Sequence, residues 1–332
     1  MLHAFKASVR VQGFKGVLFT SKLVKTILIR RLPELEGFFK PKAGGEPKYI
    51  HVSPLYYSSG GKNICLYSYV KCVNRKTAKC QGPFSQVVLN GEYYFYTGFT
   101  SNVVNPVKTM SSLLGVNDCF TYMDQRVCVE TTGIEYYMPQ TESSELVSRL
   151  LETGKVKIVF ASPTMLRDPF KRTKHKTLIP SVMNIFAVPV YTMLTHKGAF
   201  TYKRFRRHLL MLHRIFNEPY SVFKTTGIKW VVYKKKPEPT IIGYVNLYLN
   251  QHYYDMYSKN MSIDLKEYLK ELFAYTITLG VGVGRATGFG HVFIETPGNG
   301  TDSNGEVEKE DSPKNSTPTA RPLEGEGLNP QA

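Results

Sequence analysis

The amino-acid sequence predicts an α+β protein built from two tandem ferredoxin-like (RRM-like) domains with a C-terminal Gly-rich loop. The predicted elements of the first half follow the order β-α-β-β-α-β, which is that of a ferredoxin-like unit. The second half alternates strands and helices in a similar way, with inserted helices. The chain has 332 residues, enough for about two domains. We therefore expect an N-terminal domain over residues 1–145 and a C-terminal domain over residues 146–297.

The first half contains alternating strand-like segments and two helical segments. Residues 22–31 predict a helix because apolar side chains between positions 23 and 28 form one stripe, and Ser21 suits the N-cap. Residues 106–114 predict a second helix, since Pro106 is favoured in a first turn. Strands are predicted over residues 4–11, 49–52, 64–70, 87–97 and 126–137.

The second half begins after a polar stretch over residues 139–147, which is either a linker or the start of a helix. Helices are predicted over residues 181–194, 202–216 and 264–276. Strands are predicted over residues 155–161, 227–233, 241–249 and 291–295. These elements predict a second ferredoxin-like unit.

The charge of the chain is strongly positive and unevenly distributed. The formal net charge is +17, although residues 298–332 carry seven acidic and only three basic side chains. Such a balance indicates a polyanionic partner, with nucleic acid first and an acidic membrane surface second. A lysine-rich surface that serves only solubility is the alternative. The terminal stretch has almost no large apolar side chains, so we expect a disordered acidic tail.

The cysteines and apolar runs exclude several classes of protein. No pair has CxxC spacing, which argues against a zinc site, and we expect neither a metal nor a cofactor. An odd count in a long chain is typical of free thiols in a reducing compartment, which predicts a cytoplasmic protein. No apolar run approaches the roughly 20 residues of a membrane span. The cysteines are Cys65, Cys72, Cys80, Cys119 and Cys128.

Residues 279–295, LGVGVGRATGFGHVFIE, are the most informative part of the chain and are called the Gly-rich segment below. Glycine permits positive φ and leaves its N–H group open to a nearby phosphate, and Arg285 between the glycine pairs can bind that phosphate through two donors. A dinucleotide-binding loop is disfavoured because the predicted order is helix, loop, strand. A simple flexible turn remains open as an alternative. The glycines of the two pairs are Gly280, Gly282, Gly288 and Gly290.

Four segments of the chain resemble one protein family in the same order along the sequence. The Gly-rich segment resembles the C-terminal loop of the RAMP superfamily of CRISPR-associated RNA-binding proteins. FASPTML at 160–166 and YIHVSPL at 49–55 resemble strand-ending motifs of the repeat-processing endoribonucleases within that superfamily. TSKLVKTILI at 20–29 lies where the first helix of that family lies. The chain is therefore similar to a CRISPR repeat-processing endoribonuclease.

This resemblance implies cleavage without a metal ion, by attack of a 2′-hydroxyl group, leaving 2′,3′-cyclic phosphate and 5′-hydroxyl ends. Many family members use a histidine on or after the first helix, but this chain has none between His3 and His51. It instead resembles the crenarchaeal lysine-cluster type. We expect Lys22 and Lys25 to act beside the scissile phosphate and Lys48 and Arg285 to stabilise the transition state, with His51 as the second candidate catalyst. The alternative for Lys22 and Lys25 is a solvated helix face.

Basic stretches in the second half are candidates for contacts with the RNA backbone. The expected partners are CRISPR repeat RNA and subunits of a CRISPR effector complex. We expect no contact with a membrane and a monomeric or homodimeric state. A non-catalytic RNA-binding subunit is the second hypothesis, and a basic scaffold unrelated to CRISPR is the third. The predicted phosphate contacts are Arg167, Lys171, Arg172, Lys174 and Lys176, then Lys203, Arg204, Arg206 and Arg207, and a third basic run spans 234–236.

Overall fold

Two antiparallel sheets, one from each half of the chain, form the framework of the protein. The computed structural model describes residues 1–40, 47–70, 82–171, 176–219, 222–260 and 264–297. The predicted acidic tail over residues 298–332 lies outside the described residues, as do Arg172, Lys174, Cys72 and Cys80.

The first sheet has the strand order β4-β3-β5-β1-β7-β6, with β2 paired to β5 beside this path. The path β2-β5-β1-β7, crossed by α1 and α3, is the arrangement of a ferredoxin-like unit and confirms the predicted fold of the first half. Its strands are β1 Leu2–Gly16, β2 Ile50–Val52, β3 Tyr56–Ser59, β4 Lys62–Cys65, β5 Val87–Thr100, β6 Asn117–Tyr122 and β7 Gln125–Tyr137. Its helices are α1 Ser21–Arg31, α2 Glu36–Phe39 and α3 Pro106–Leu113.

The second sheet has the strand order β10-β11-β8-β12, which repeats the same arrangement, and short β9 pairs with β11. Its strands are β8 Lys155–Thr164, β9 Phe216–Asn217, β10 Thr226–Tyr233, β11 Lys236–Leu249 and β12 Val292–Glu295. The helices of this half are α4 Pro139–Thr153, α5 Val182–His196, α6 Tyr202–Ile215, α7 Val222–Thr225, α8 Gln251–Asn260 and α9 Leu265–Leu279. The tandem ferredoxin-like fold is therefore confirmed.

The two halves meet where α9 crosses β5. A Cβ added at Gly98 on β5 would lie 2.0 Å from the backbone oxygen of Thr278 on α9. Only glycine permits so close an approach of helix and strand. The halves also join through residues after β4, where the Val70 amide donates a hydrogen bond of 2.9 Å to Trp230 of β10. Residues far apart in the sequence can therefore form one site between the halves.

Helix α4 was only partly anticipated by the sequence. Residues 139–147, expected as a linker or helix start, form the beginning of α4, which spans the predicted boundary between residues 145 and 146. Its buried side chains Leu146, Val147 and Leu150 belong to the core of the second half. The domain limits themselves stay a prediction.

The prediction of free thiols is wrong for two cysteines. Antiparallel pairing places Cys119 of β6 directly opposite Cys128 of β7, with 4.0 Å between their Cα atoms, and the pair forms a disulfide. Their nine-residue separation gave no sign of this, because the register was not predicted. Cys65 is a free cysteine. Among the described residues, no helix is long and apolar enough to cross a bilayer.

Candidate functional site

The Gly-rich segment packs against the beginning of helix α1. The Ser21 hydroxyl donates a hydrogen bond of 2.6 Å to the backbone oxygen of Thr287. Gly288 lies so close that an added Cβ would be 2.2 Å from the Ser21 side chain. The rings of Phe19 and Phe289 stack with centroids 4.4 Å apart. These contacts fix the position of α1 relative to the second half.

Helix α1 holds Lys22 against the hairpin that joins β10 and β11, and Lys25 on the same helix lies within electrostatic range of Lys234 in that hairpin. The Lys22 ammonium lies 5.2 Å from the ring centroid of Tyr233, and the Lys234 ammonium lies 5.8 Å from the same ring. Lys234 and Lys235 form the turn of this hairpin with φ of 51° and 62°. Both values are in the left-handed region that a tight two-residue hairpin turn requires. The turn thus brings a cation of the second half to the lysines of the first. Lys22, Lys25, Tyr233 and Lys234 are called the lysine cluster below.

The electrostatic environment of the lysine cluster is unusual. Burial lowers the pKa of Lys22, and the charge of Lys234 lowers it further. Burial also lowers the pKa of Lys25, which Glu36 partly offsets and Lys234 reinforces. Within the described ranges, neither Lys22 nor Lys25 forms an ion pair. Like charges held together and only partly offset by a carboxylate attract an anion, and a lowered pKa makes an ammonium group a stronger acid.

Lys48 is connected to Lys25 of the lysine cluster by a shared contact with Phe39. Its ammonium group donates a hydrogen bond of 2.7 Å to the backbone oxygen of Phe39, and the Lys25 ammonium lies 4.9 Å from the Phe39 ring centroid. Lys25 and Lys48 therefore contact the same buried residue. The predicted role of Lys48 stays a prediction.

Arg285 lies inside the protein, 5% exposed. One terminal nitrogen donates to the backbone oxygen of Leu279 at 3.1 Å. The other donates to the backbone oxygen of Lys48 at 3.1 Å and to the Thr192 hydroxyl at 3.2 Å. Burial lowers the pKa of Arg285 to about 10. In this conformation the guanidinium links α9, α5 and the residue Lys48, which lies just before β2. Its contact with phosphate stays a prediction.

His51 is buried in a pair with His291. Its Nδ1 is 3.0 Å from the backbone oxygen of Arg285, its Nε2 is 3.1 Å from Nδ1 of His291, and the two rings stack. Burial lowers the pKa of His51 well below the usual range and that of His291 to about 3. Both rings are therefore neutral near pH 7. Catalysis by His51 stays a prediction, and it requires access that the described conformation does not give.

The four glycines of the predicted phosphate-binding pairs pack closely against backbone or side chains. Each has positive φ, and an added Cβ would lie 2.4 Å or less from a neighbouring atom. Three of their amides donate within the protein, from Gly280 to Thr276, from Gly288 to Arg285 and from Gly290 to Pro163. The segment thus needs glycine for close packing, and contact with RNA stays a prediction for Gly280, Gly282, Gly288 and Gly290.

Comparison with solved structures identifies the fold. A structure described as a Cas6 product complex aligns with 89% of this chain and 100% of its own, at 15% sequence identity and a TM-score of 0.52. The chain has the Cas6 fold. A Thermus thermophilus Cas6 aligns at 15% identity, with 89% of this chain and 98% of its own covered and a TM-score of 0.49. A Cas6-related protein of Pyrococcus furiosus aligns at 10% identity, with 88% and 98% covered and a TM-score of 0.49. No protein-family model and no curated sequence matches the chain.

The basic loop that follows β8 begins beside the Gly-rich segment. The Met165 backbone oxygen accepts a hydrogen bond of 2.8 Å from the amide of Val283, and the exposed Arg167 and Lys171 follow directly. Lys176 is paired with Glu238 at 2.5 Å. Lys171 lies 3.7 Å from the Asp168 carboxylate, and contact of Arg167 and Lys171 with RNA stays a prediction.

The basic residues of α6 form a second surface of this Cas6 fold. Lys203, Arg204, Arg206 and Arg207 are exposed on α6, which packs on α5 and α8. Helix α1 instead packs on the 3₁₀ turn Arg285–Thr287 of the Gly-rich segment. The structure therefore divides the predicted RNA contacts between two places.

Tyr233 is the residue of the lysine cluster that sequence reasoning missed, and Lys234 was predicted only as part of a basic run. The run at 234–236 was recognised as basic, but its link to α1 depends on the packing of the two halves. The available signal was a pair of adjacent lysines at a two-residue hairpin turn. Such turns favour Asn and Gly, so lysines there are unusual and suggest a function.

Proposed function

We propose that this chain is an endoribonuclease that binds CRISPR repeat RNA and cleaves it without a metal ion. The observation that carries this proposal is the lysine cluster, in which cations from both halves lie around one tyrosine ring without a carboxylate partner for Lys22. The fold supports it, since a protein with the same fold is described as a Cas6 product complex. The expected state, monomer or homodimer, and any effector subunits are part of the same proposal.

The chemistry is an internal transesterification. The 2′-oxygen forms a bond to the adjacent phosphorus while the bond from phosphorus to the 5′-oxygen breaks, which gives a 2′,3′-cyclic phosphate and a 5′-hydroxyl. The proton of the 2′-hydroxyl passes to solvent water, and a second proton is gained by the 5′-oxygen. Lys22 or Lys25 donates the second proton, which their lowered pKa favours. The other lysine and Lys234 stabilise negative charge on the non-bridging oxygens.

Arg285 and Lys48 support this site in the same proposal. Arg285 donates a hydrogen bond to the backbone oxygen of Lys48, and the Lys48 ammonium donates one to the backbone oxygen of Phe39, whose ring Lys25 contacts. Arg285 therefore acts as a positioning residue in the described conformation. For either residue to stabilise the transition state directly, its hydrogen bonds within the protein must be replaced by hydrogen bonds to the RNA when RNA binds.

A cleavage assay with repeat RNA in EDTA tests the reaction. We expect cleavage at one position, with a 5′-hydroxyl on the downstream product. A substrate with a 2′-deoxy sugar at the cut position should bind and remain intact. Equal cleavage of the deoxy substrate, or a strict requirement for a divalent cation, would show that the mechanism is different.

Charge-removing variants test the lysine cluster. Lys22→Gln and Lys25→Gln should each lower kcat, by about 10²–10⁴-fold for whichever residue is the general acid. Lys234→Gln should weaken RNA binding and lower kcat less. Lys259→Gln removes the same charge from the exposed surface of α8 and is the matched control. Rates of Lys22→Gln and Lys25→Gln that equal the control rate would remove the basis of the proposed site.

The second candidate function is a non-catalytic RNA-binding subunit of a CRISPR effector complex. The burial of Arg285 and His51 favours it, because two of the predicted catalytic groups do not face solvent. Specific binding of repeat RNA without cleavage, with and without Mg²⁺, would support this function over the enzyme.

A further inference from the structure

A large cavity lies among the helices of the second half, apart from the lysine cluster. It has a volume of about 1040 Å³ and is bounded by α4, α5, α6 and α9. This volume is at the upper end of the range of about 300–1,000 Å³ that is typical of small-molecule sites. None of its lining residues takes part in the proposed cleavage reaction.

Two side chains of the cavity wall each carry a polar atom that is enclosed just behind the cavity surface and has no partner among the described residues. His208 of α6 is 8% exposed and Tyr268 of α9 is 5% exposed, and both line the cavity. Within the described part of the chain, His208 Nδ1 and the Tyr268 hydroxyl form no hydrogen bond. Their rings lie 5.0 Å apart between centroids. An unpartnered buried polar atom destabilises the protein unless a ligand or water satisfies it.

The imidazole of His208 is neutral near pH 7. Burial, followed by the charges of Arg207, Arg204 and Lys197, lowers its pKa to about 4. A neutral imidazole has one donor and one acceptor nitrogen, and a tyrosine hydroxyl can donate or accept. Once their side chains rotate so that these atoms face the cavity, the two groups together can bind a heteroaromatic ring that carries its own donors and acceptors.

The rim of the cavity has two arginines available for an anion. Lys197 pairs with Glu271, and Lys270 pairs with Glu267. Asp264 caps the beginning of α9 by accepting from the amides of residues 266 and 267. These contacts occupy the rim carboxylates.

Arg204 and Arg207 form no ion pair among the described residues, and Arg204 makes only a long bond of 3.4 Å to the backbone of Ala199. They lie at positions i and i+3 of α6, and His208 follows at i+4 from Arg204, so all three share one helix face. The same face therefore presents two cations at the mouth and a neutral ring inside.

We propose that this cavity binds a nucleoside phosphate, with the base against His208 and Tyr268 and the phosphate at Arg204 and Arg207. A nucleoside phosphate has a planar polar base at one end and a phosphate dianion at the other. These ends match the polar rings in the interior of the cavity and the arginines at its rim. The nucleotide comes either from free mononucleotide or from a single-stranded RNA. The proposal does not depend on the cleavage reaction.

Calorimetric titration of the full chain with AMP, GMP, CMP and UMP tests this site. At least one nucleotide should bind with one-to-one stoichiometry and raise the Tm. Arg207→Gln should weaken that binding about tenfold, because it removes a charge-assisted hydrogen bond. Arg214→Gln removes the same charge near the end of α6, outside the cavity lining, and should leave the affinity unchanged.

Tyr268→Phe separates ligand binding from a structural role. It removes only the unpartnered hydroxyl, so the Tm of the free protein should stay equal or rise, while nucleotide affinity falls several-fold. A lower Tm together with unchanged affinity would overturn the proposal. So would the absence of binding by all four nucleotides, combined with RNA binding that Arg207→Gln and Tyr268→Phe leave unchanged.

Competition distinguishes the two sources of the nucleotide. A single-stranded oligonucleotide that displaces the bound mononucleotide, and whose own affinity falls in Tyr268→Phe, identifies an RNA strand as the ligand. Nucleotide binding that RNA does not displace identifies the free metabolite. Cleavage of repeat RNA by Tyr268→Phe reports on the lysine cluster separately, since Tyr268 is not among the predicted RNA contacts.

Discussion

The contact between Gly288 and Ser21 makes a sharp prediction about how the two halves are joined. Gly288 has φ of 96°, and an added Cβ would lie 2.2 Å from both the Cβ and the hydroxyl oxygen of Ser21. A Gly288→Ala substitution must therefore displace either the Gly-rich segment or the beginning of α1. Because Lys22 is the next residue on α1, this displacement should also move the lysine cluster.

The expected loss of stability is the sum of three effects. Positive φ at alanine costs about 1–2 kcal/mol. Forcing an extra methyl group into a packed contact costs about 1–3 kcal/mol. Loss of the hydrogen bond from Ser21 to Thr287 costs about 0.5–1.5 kcal/mol. We expect the free energy of unfolding to fall by about 2.5–6.5 kcal/mol.

Gly154→Ala is the matched control, since Gly154 has φ of 67° but no atom within 4 Å of an added Cβ. It should lose only the conformational part, about 1–2 kcal/mol. Urea unfolding of both variants measures the difference. Ser21→Gly should recover part of the loss in Gly288→Ala by making room for the methyl group. Equal destabilisation of the two alanine variants would refute the close packing on which this reasoning depends.

Three further predictions concern buried polar groups and the disulfide. The pKa of His291 is lowered from its usual 6.5 to about 3 by burial, so the unfolded chain binds a proton that the folded chain does not. Stability should be full above pH 6.5 and fall by up to several kcal/mol as the pH drops toward 3, and equal urea midpoints at pH 7.5 and 4.5 would contradict this. Arg285→Gln should lower the free energy of unfolding by about 3 kcal/mol or more, because the carbonyl oxygens that Arg285 binds lose their donors, and a Tm within one or two degrees of wild type would oppose it. Reduction of the bond between Cys119 and Cys128 should lower the free energy of unfolding by about 2–3 kcal/mol, and no change with reductant would mean that the disulfide does not form in solution.

Elements with a strong local pattern were predicted well. The apolar stripe of α1 placed that helix to within one residue, and the alternating segments of β1, β7 and β8 lie within the observed strands. Helix α8 was missed because none of its residues is fully buried, and its core-facing stripe consists only of the half-buried Tyr253, Tyr254 and Tyr257. The β3–β4 hairpin was missed although the dipeptide Gly60-Gly61, with positive φ at both residues, is a typical turn signal.

The lysine pair was partly predictable, and its surroundings were not. The resemblance of α1 to a family helix selected Lys22 and Lys25, but Lys234 is more than 200 residues away in the sequence. Arg285 was expected to face a phosphate, whereas the structure encloses it between three protein oxygens. Periodicity gives the direction of a side chain relative to its own element only, so it could not show which elements cover that face.

The sequence by itself determined the two β-α-β-β-α-β units and the excess of positive charge. These follow from short-range spacing and composition, which neighbouring residues along the chain define. Only the tertiary structure decided that α1 meets the β10–β11 turn, that His51 pairs with His291, and that His208 and Tyr268 line one cavity. Such contacts depend on how the two sheets and their helices pack, because residues distant in the chain become neighbours only when their shared surfaces are buried together.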